Sequence, residues 1–229
     1  MKFLGILQAR TSSSRLPGKV LKDLNGKPMI EWQIQRILQS NIEKLVLATS
    51  NEKSDNELAN IVTNLGIEVH RGPLDDVLER FLQVLKRYET TNFIRLTGDC
   101  PLIMPEIINE MMKSYDFEDF DYYTNSIRRT FPDGLDVEIV KSKALRKLSG
   151  VRLSLKEREH VTVGFHTRDR EFKTGYHMQE VDLSDLRWTV DTQVDLDFVR
   201  NVFKKFEGRE ISFNYSDLLK LLEIDVGEK

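Results

Sequence analysis

The stretch GILQARTSSSRLPGKVL, residues 5–21, joins an apolar run to a loop rich in cations and hydroxyl groups. The apolar run ends at Ala9, and three cations follow it: Arg10, Arg15 and Lys19. Four hydroxyl residues stand between the arginines: Thr11, Ser12, Ser13 and Ser14. Short side chains let a backbone curl and present its N–H groups to an anion, while Arg and Lys bind phosphate oxygens. Such a loop directly after a strand predicts a phosphate site.

The two common phosphate loops do not account for this stretch. A P-loop needs Gly where this chain has Ser13, and Ser or Thr where it has Val20. The pattern G-x-G-x-x-G does not occur in the sequence. The structural alternative is a basic surface loop in contact with solvent.

Apolar strands and amphipathic helices alternate through the first half of the chain. Strands are predicted at residues 3–9, 44–50, 67–72 and 92–98. Helices are predicted after Pro28, over 54–65 before Gly66, and over 75–88. The first helix should bury Ile30, Ile34, Ile37 and Leu38, and the third should bury Val77, Phe81, Leu82 and Leu85. Because helices separate the strands, we expect an α/β fold with a mostly parallel sheet and helices on both faces.

The second half has shorter elements. GLDVEIV and FKTGYHM are short strand-like pieces, and residues 125–177 are expected to form an inserted excursion from the sheet within a single domain, residues 1–229. LRWTVDT then predicts a short strand, and residues 195–206 predict a helix with Val194, Phe198 and Val202 inward.

Two aspartates follow predicted strands, Asp99 in RLTGDCPLI and Asp191 in RWTVDTQVDLDFV. Ligands bind at the carboxyl ends of strands in open α/β sheets. The loop of residues 10–19, called the opening loop below, lies at such an end because it follows the first strand. Mg²⁺ bound to a nucleotide needs only one or two carboxylates. The alternative for Asp99 is an ordinary turn or cap, and Asp191 or Thr192 could cap the following helix.

Composition restricts the class of protein. A net charge of −3 argues against a general nucleic-acid binder. Cys100 is the only cysteine, which excludes a disulfide framework and a cysteine-built metal site. We therefore expect a cytoplasmic location, without a signal peptide or membrane span.

Several segments together resemble a known family. ILQARTSSSRLPGK, LATS, RLTGDCPLI and TVDTQVDLDFV resemble, in order and spacing, the cytidylyltransferases that activate acidic sugars, the CMP-Kdo and CMP-acylneuraminate synthetases. RGPLDDVLERF and FPDGLDVEIV are similar to segments of the branch linked to spore-coat polysaccharide and flagellin glycosylation. The resemblance implies a Rossmann-like nucleotidyltransferase fold similar to that of glycosyltransferase-A enzymes. One departure is that the family usually has glycine near Ser12 or Ser13.

The resemblance also implies roles for individual residues. Arg15, Lys19 and Asp99 would be catalytic, and Asp99 and Asp191 would bind Mg²⁺. The nucleotide would contact Leu7, Ala9, Arg10, Ser12, Ser13, Ser14, Arg15, Lys19, Thr49, Ser50 and Arg71. Asp136, Glu138 and His160 would contact the acceptor, with Asp136 and Glu138 on one face of a strand. A homodimer is expected through residues 125–177, whose apolar residues include Phe131, Leu135, Val137, Ile139 and Val140.

The reaction implied is transfer of CMP from CTP to a small acidic sugar, with release of pyrophosphate. Such transfer depends mainly on positioning and charge neutralisation. Three alternatives remain open from the sequence. These are a nucleotidyltransferase that uses another nucleotide and a sugar phosphate, a glycosyltransferase that uses the DLD at residues 195–197, and a non-catalytic nucleotide-binding subunit.

Overall fold

The computed structural model describes residues 2–116 and 118–224. Its centre is a seven-stranded sheet, and a small antiparallel hairpin follows the opening loop. The strands are β1 (Phe3–Gln8), β2 (Asp23–Leu24), β3 (Lys27–Pro28), β4 (Lys44–Ser50), β5 (Glu68–Gly72), β6 (Asn92–Thr97), β7 (Tyr122–Thr124), β8 (Glu138–Lys141) and β9 (Thr174–Tyr176). The central order is β5-β4-β1-β6-β8-β7-β9, in which β8 runs antiparallel to both of its neighbours and the other pairs are parallel. The prediction of a mostly parallel α/β sheet is confirmed.

Helices cover both faces of this sheet. They are α1 (Met29–Ile37), α2 (Asn56–Asn64), α3 (Val77–Arg87), α4 (Pro105–Ser114), α5 (Ser142–Ser149), α6 (Leu155–Glu159), α7 (Val163–Thr167), α8 (Gln193–Lys205) and α9 (Tyr215–Leu221). One apolar core contains side chains of α1, α2, α4 and α8, and the other contains side chains of α3, α5 and α7. Over residues 2–116 and 118–224, none of the helices has the length and apolar character needed to span a membrane.

In each of α1 and α3, one residue predicted for the inner face is not fully buried. Ile30, Ile34 and Ile37 are buried as predicted, but Leu38 is 49% exposed because it lies at the C-terminal end of α1, where the helix stops. In α3, Leu82 is only partly buried, and the buried stripe contains Leu78 and Val84 instead.

The predicted inner face of α8 is wrong at Val194, which is 77% exposed. The buried residues are Leu196, Val199, Val202 and Phe203. Their spacing of three and four residues forms one stripe along the helix, and Val194 lies in the first turn, away from that stripe. Phe198 only packs against the edge of the core.

Residues 125–177 return to the central sheet. β8 pairs with β6 and β7, and β9 pairs with β7. β8 and β9 are therefore strands of the central sheet, rather than parts of a segment that leaves it. The five apolar residues assigned to a dimer interface are all buried within the chain: Phe131, Leu135, Val137, Ile139 and Val140. They form part of the two cores, so they do not supply an exposed contact surface, and dimerisation stays a prediction.

Candidate nucleotide-binding site

A cleft of about 410 Å³ opens at the carboxyl ends of β1 and β6. Ten of the predicted site residues line it: Ala9, Arg10, Ser12, Ser13, Ser14, Arg15, Lys19, Asp99, His160 and Asp191. Eight further residues line the cleft: Gln8, Val20, Val77, Arg80, Arg95, Thr97, Gly98 and Glu159. The structure thus brings the opening loop and both aspartates to one place.

The opening loop curls around a backbone carbonyl. Thr11 O accepts hydrogen bonds from Ser13 N and Gly18 N, both at 2.9 Å. Gly18 has φ 68°, a left-handed conformation that favours glycine. Ser12 and Ser13 are not among the described non-glycine residues with positive φ. The loop therefore closes at Gly18 and does not need the glycine that the related pattern has near Ser12.

The carboxyl ends of β1 and β6 meet closely enough to require a glycine. A Cβ atom built on Gly98 would lie 2.6 Å from the Cβ of Ala9. The N–H of Gly98 donates to the carbonyl of Gln8 at 2.8 Å. This contact places Asp99, the next residue, beside the loop that follows β1.

Lys19 joins the loop to both predicted metal ligands. Its Nζ donates to Asp99 Oδ2 at 3.0 Å, to Asp191 Oδ1 at 2.9 Å and to the Val190 carbonyl at 2.8 Å. Burial lowers the pKa of Lys19, but the two carboxylates outweigh it and the net pKa is raised. Burial likewise raises the pKa of Asp99, and Lys19 reverses that effect so that the pKa is lowered. Both charges therefore persist at neutral pH.

The structure corrects the placement of Asp191. The residues before it form an extended segment with only an isolated bridge between Arg187 and Asp133, rather than a strand of the sheet. This segment is held by Asp99, whose carbonyl accepts from Val190 N at 2.8 Å. Asp191 therefore reaches the cleft through a contact with Asp99.

Asp191 does not cap α8. Thr192 is the N-cap, and it forms a capping box with Asp195. The carboxylate of Asp191 instead contacts three cations: Arg15 at 2.9 Å, Arg187 at 2.6 Å and Lys19. The capping alternative therefore applies to Thr192, and the Asp191 side chain faces the cationic loop.

The oxygen donors around Lys19 suit a hard divalent cation. Asp99, Asp191 and the Val190 carbonyl converge on one nitrogen atom, and carboxylate and carbonyl oxygens are ligands that Mg²⁺ accepts. Within residues 2–116 and 118–224 there is no group of three or more His, Cys, Asp or Glu that could hold a metal. A site with two carboxylates fits a metal that arrives with phosphate ligands.

Of the three predicted acceptor residues, only His160 lines the cleft. Glu138 is buried, forms an ion pair with Arg95 and accepts hydrogen bonds from Tyr122 and Thr162. Arg95 lines the cleft, so Glu138 holds a cleft residue in place. These partners outweigh burial, and the pKa of Glu138 is lowered.

Asp136 lies before the strand that it was assigned to, since β8 begins at Glu138. Its carboxylate forms a two-point contact with Arg129, at 2.5 and 2.9 Å. Burial raises the pKa of Asp136 despite this partner. The side chain is occupied by Arg129 and does not line the cleft.

The predicted nucleotide contacts on β1, β4 and β5 also lie outside the cleft lining. Leu7 is fully buried, and the hydroxyls of Thr49 and Ser50 both donate to Asp55. Arg71 donates to the Ser50 carbonyl at 2.8 Å and to the Glu52 carbonyl at 2.7 Å. Leu7 thus packs in the core, and the other three side chains form hydrogen bonds within the protein. Contact of these four residues with a nucleotide stays a prediction.

Arg80 is a site residue that sequence reasoning missed. It is fully buried in α3, donates to the Leu74 carbonyl at 3.1 Å, and has an Nε without a hydrogen-bond partner. Burial, reinforced by the charge of Arg10, lowers the pKa of Arg80 to about 10, so it remains a cation at neutral pH. The available signal was an arginine within the apolar face of DDVLERF.

A cationic loop after the first strand of an α/β sheet, with two carboxylates across from it, is the arrangement expected of a nucleotidyltransferase. The chain belongs to the cytidylyltransferase family, whose model matches residues 4–220.

Individual relatives agree with this assignment. The spore coat polysaccharide biosynthesis protein SpsF of Bacillus subtilis is 30% identical over 230 residues, which cover 96% of this chain and 93% of that protein. A solved cytidylyltransferase from Leptospira borgpetersenii is 31% identical, with a TM-score of 0.93 over 97% of this chain and 94% of its own. A CMP:2-keto-3-deoxy-manno-octonic acid synthetase, solved with CTP, shares the fold at 18% identity, with a TM-score of 0.68 over 90% of this chain and 99% of its own. The Rossmann-like nucleotidyltransferase fold and the resemblance found in the sequence are both confirmed.

Proposed function

We propose that this protein transfers CMP from CTP to an acidic sugar of the Kdo or nonulosonic class and releases pyrophosphate, for cell-surface polysaccharide or glycan synthesis. The observation that carries the proposal is the convergence of Lys19, Asp99 and Asp191 at the end of the cationic loop in a cytidylyltransferase. The name of the SpsF relative supports a role in polysaccharide synthesis, and the octonic acid synthetase supports an acidic acceptor.

The cations in the cleft suit a triphosphate. Arg15 is largely exposed at the cleft and can approach phosphate oxygens without a large rearrangement. Lys19 lies deeper, where its charge can stabilise the negative charge that develops on the departing pyrophosphate. Preorganised donors of this type contribute about 2.7–4 kcal/mol to lowering a reaction barrier.

Asp99 and Asp191 are the residues that would hold Mg²⁺. A bound Mg²⁺ would supply neutralisation of phosphate charge and would lower the pKa of the acceptor hydroxyl. The protein's own contribution is to fix both carboxylates on the same side of the cleft, through the Val190–Asp99 backbone contact.

The acceptor would approach from the side of Arg95 and His160. Arg95 is a partly buried cation at the cleft, held by Glu138 and by Gln8 Oε1 at 3.2 Å. A fixed guanidinium suits the carboxylate of a sugar acid. His160 and Glu159 line the cleft at the end of α6 and add polar contacts for sugar hydroxyls.

The structure gives no support to the glycosyltransferase alternative through DLD. Asp195 is the capping-box partner of Thr192 at the start of α8 and forms an ion pair with Arg187, and Asp197 contacts Arg200. Both carboxylates therefore bind residues in or next to α8, and neither aspartate lines the cleft.

A pyrophosphate-release assay tests the proposal. The protein would be incubated with Mg²⁺, with CTP, UTP, GTP or ATP, and with a panel of sugar acids and sugar phosphates. We expect pyrophosphate only with CTP and a sugar acid, and none with an Asp99→Asn variant. Release with UTP or GTP and a sugar phosphate would establish the alternative nucleotidyltransferase, and no release with any pair would contradict a catalytic role.

A further inference from the structure

The first two residues after β1, Ala9 and Arg10, make few polar contacts with the rest of the protein. At the start of the loop, Ala9 N donates to the Ala48 carbonyl across a long 3.4 Å. Arg10 reaches Glu159 at 3.4 Å, and both side chains are partly exposed. Exposed ion pairs contribute little to holding a segment in place. The position of the head of the loop therefore depends on its next residue, Thr11, whereas Lys19 fixes the end of the loop.

Thr11 is fixed by a buried carboxylate. Asp55 Oδ1 accepts from Thr11 N at 2.7 Å and from Thr11 Oγ1 at 2.6 Å. Its other oxygen accepts from Thr49 Oγ1 at 3.1 Å, from Ser50 N at 3.2 Å and from Ser50 Oγ. Asp55 is 0% exposed, and these donors satisfy both of its oxygens. One carboxylate thus joins the head of the loop to the end of β4.

The two ends of this connection differ in their other supports. Thr49 and Ser50 belong to β4, which pairs with β5 through Thr49–Arg71 and Ser50–Gly72. This strand pairing would keep Thr49 and Ser50 in position without Asp55. Thr11 belongs to no strand or helix, and both of its donors are used on Asp55. Loss of the carboxylate would therefore release the head of the loop rather than the strand.

We propose that Asp55 is a positioning residue for the phosphate chain of the nucleotide, and that Thr49 and Ser50 serve as its anchors rather than as side-chain contacts to the base. This inference rests on the proposed binding of a triphosphate by the opening loop. Thr11 O also accepts from Ser13 and Gly18, so fixing Thr11 fixes the whole curl that carries Ser12, Ser13 and Ser14.

The charge state of Asp55 agrees with this role. Burial raises the pKa of Asp55, but the donors from Ser50, Thr11 and Thr49 outweigh it and the pKa is lowered. The group remains an acceptor of hydrogen bonds throughout the neutral range. A buried carboxylate that accepts several N–H and O–H bonds is a rigid anchor.

Affinities for CTP and for cytidine test the proposal, measured by calorimetry with Asp55→Asn and Thr11→Val. We expect Asp55→Asn to weaken CTP binding at least tenfold and cytidine binding by less than twofold, because cytidine has no phosphates. Thr11→Val keeps the N–H donor and should weaken CTP binding by a smaller factor. Asp217→Asn is the matched control, since Asp217 also accepts a backbone N–H bond, from Asn214 in the capping box of α9, and lies outside the cleft lining. It should change neither affinity.

An equal loss of CTP and cytidine affinity in Asp55→Asn would overturn the proposal, since Asp55 would then organise the base site. Unchanged CTP affinity would overturn it as well. If Asp55→Asn does not fold, Thr11→Val is the deciding variant. A larger loss of CTP affinity than of cytidine affinity supports the proposal, and an equal loss of both overturns it. Hydrogen exchange at the Thr11 amide gives a readout without nucleotide: it should be faster in Asp55→Asn. A wild-type protein that binds no CTP would contradict the proposed function, while the exchange result would still decide the anchoring.

Discussion

Replacing Lys19 with Met tests the electrostatic centre of the cleft. Nζ makes three hydrogen bonds of 2.8–3.0 Å, and the side chain is 10% exposed. The sequence alone places this lysine in a loop and predicts that its removal leaves stability nearly unchanged. The structure predicts otherwise, because Lys19→Met leaves Asp99 and Asp191 facing each other without their shared cation.

The expected loss of unfolding free energy in Lys19→Met follows from the burial of its ion pairs. Breaking a buried ion pair costs about 3–5 kcal/mol. The side chains of Asp99 and Asp191 keep 28% and 15% exposure, so water compensates in part and we expect about 3 kcal/mol, the lower end of that range. For a chain of this size the melting temperature then falls by about 6–12 °C. Loss of a donor to the transition state should also lower kcat/KM by about 100-fold or more.

The pH dependence of this stability difference has a defined sign. The pKa of Asp99 is lowered from 3.8, so its contribution is present above that value and disappears as pH falls through the folded pKa. The pKa of Lys19 is raised from 10.5, so its contribution is present below that value and is lost as pH rises through the folded pKa. The difference between wild type and variant should therefore be constant near neutral pH and shrink in acid.

Thermal unfolding and pyrophosphate release, measured in one buffer series, provide the assay. Lys22→Met is the control: it removes the same type of charge three positions along the chain, outside the cleft lining. We expect Lys22→Met to behave as wild type in both measurements. A Lys19→Met variant with wild-type kcat/KM, or with an unchanged melting temperature across this pH range, would refute the reasoning.

Three further predictions follow from the site. Asp99→Asn and Asp191→Asn should each abolish turnover and Mg²⁺-dependent binding of CTP while the protein stays folded, because Thr192 rather than Asp191 caps α8; an active variant would exclude the metal site. Arg15→Ala should lower kcat/KM more than tenfold with little change in melting temperature, since the Arg15 side chain is 63% exposed and exposed ion pairs contribute about 0–1 kcal/mol. The protein should sediment as a dimer at micromolar concentration, and a monomer alone would contradict the homodimer.

The sequence by itself determined the class of the fold and the position of the opening loop. Strand and helix periods are local properties of the chain, so the run before Ala9 and the helix after Pro28 could be predicted without tertiary contacts. The order of cationic and hydroxyl residues after β1 predicted a loop that the structure places at the cleft. Asp99 was found for the same reason, since it directly follows β6.

Tertiary structure decided which polar side chains face the cleft and which hold it together. Glu138, Thr49 and Ser50 were predicted to contact substrates, but Glu138 pairs with Arg95, 43 positions away. Thr49 and Ser50 donate to Asp55, which also binds Thr11, 44 positions away from it. Hydrogen-bond partners of buried groups are set by packing between elements, which no local pattern contains. The same reason hid the role of Asp55, because its sequence neighbours show only a polar turn, whereas its function comes from the five hydrogen bonds that it accepts in the fold.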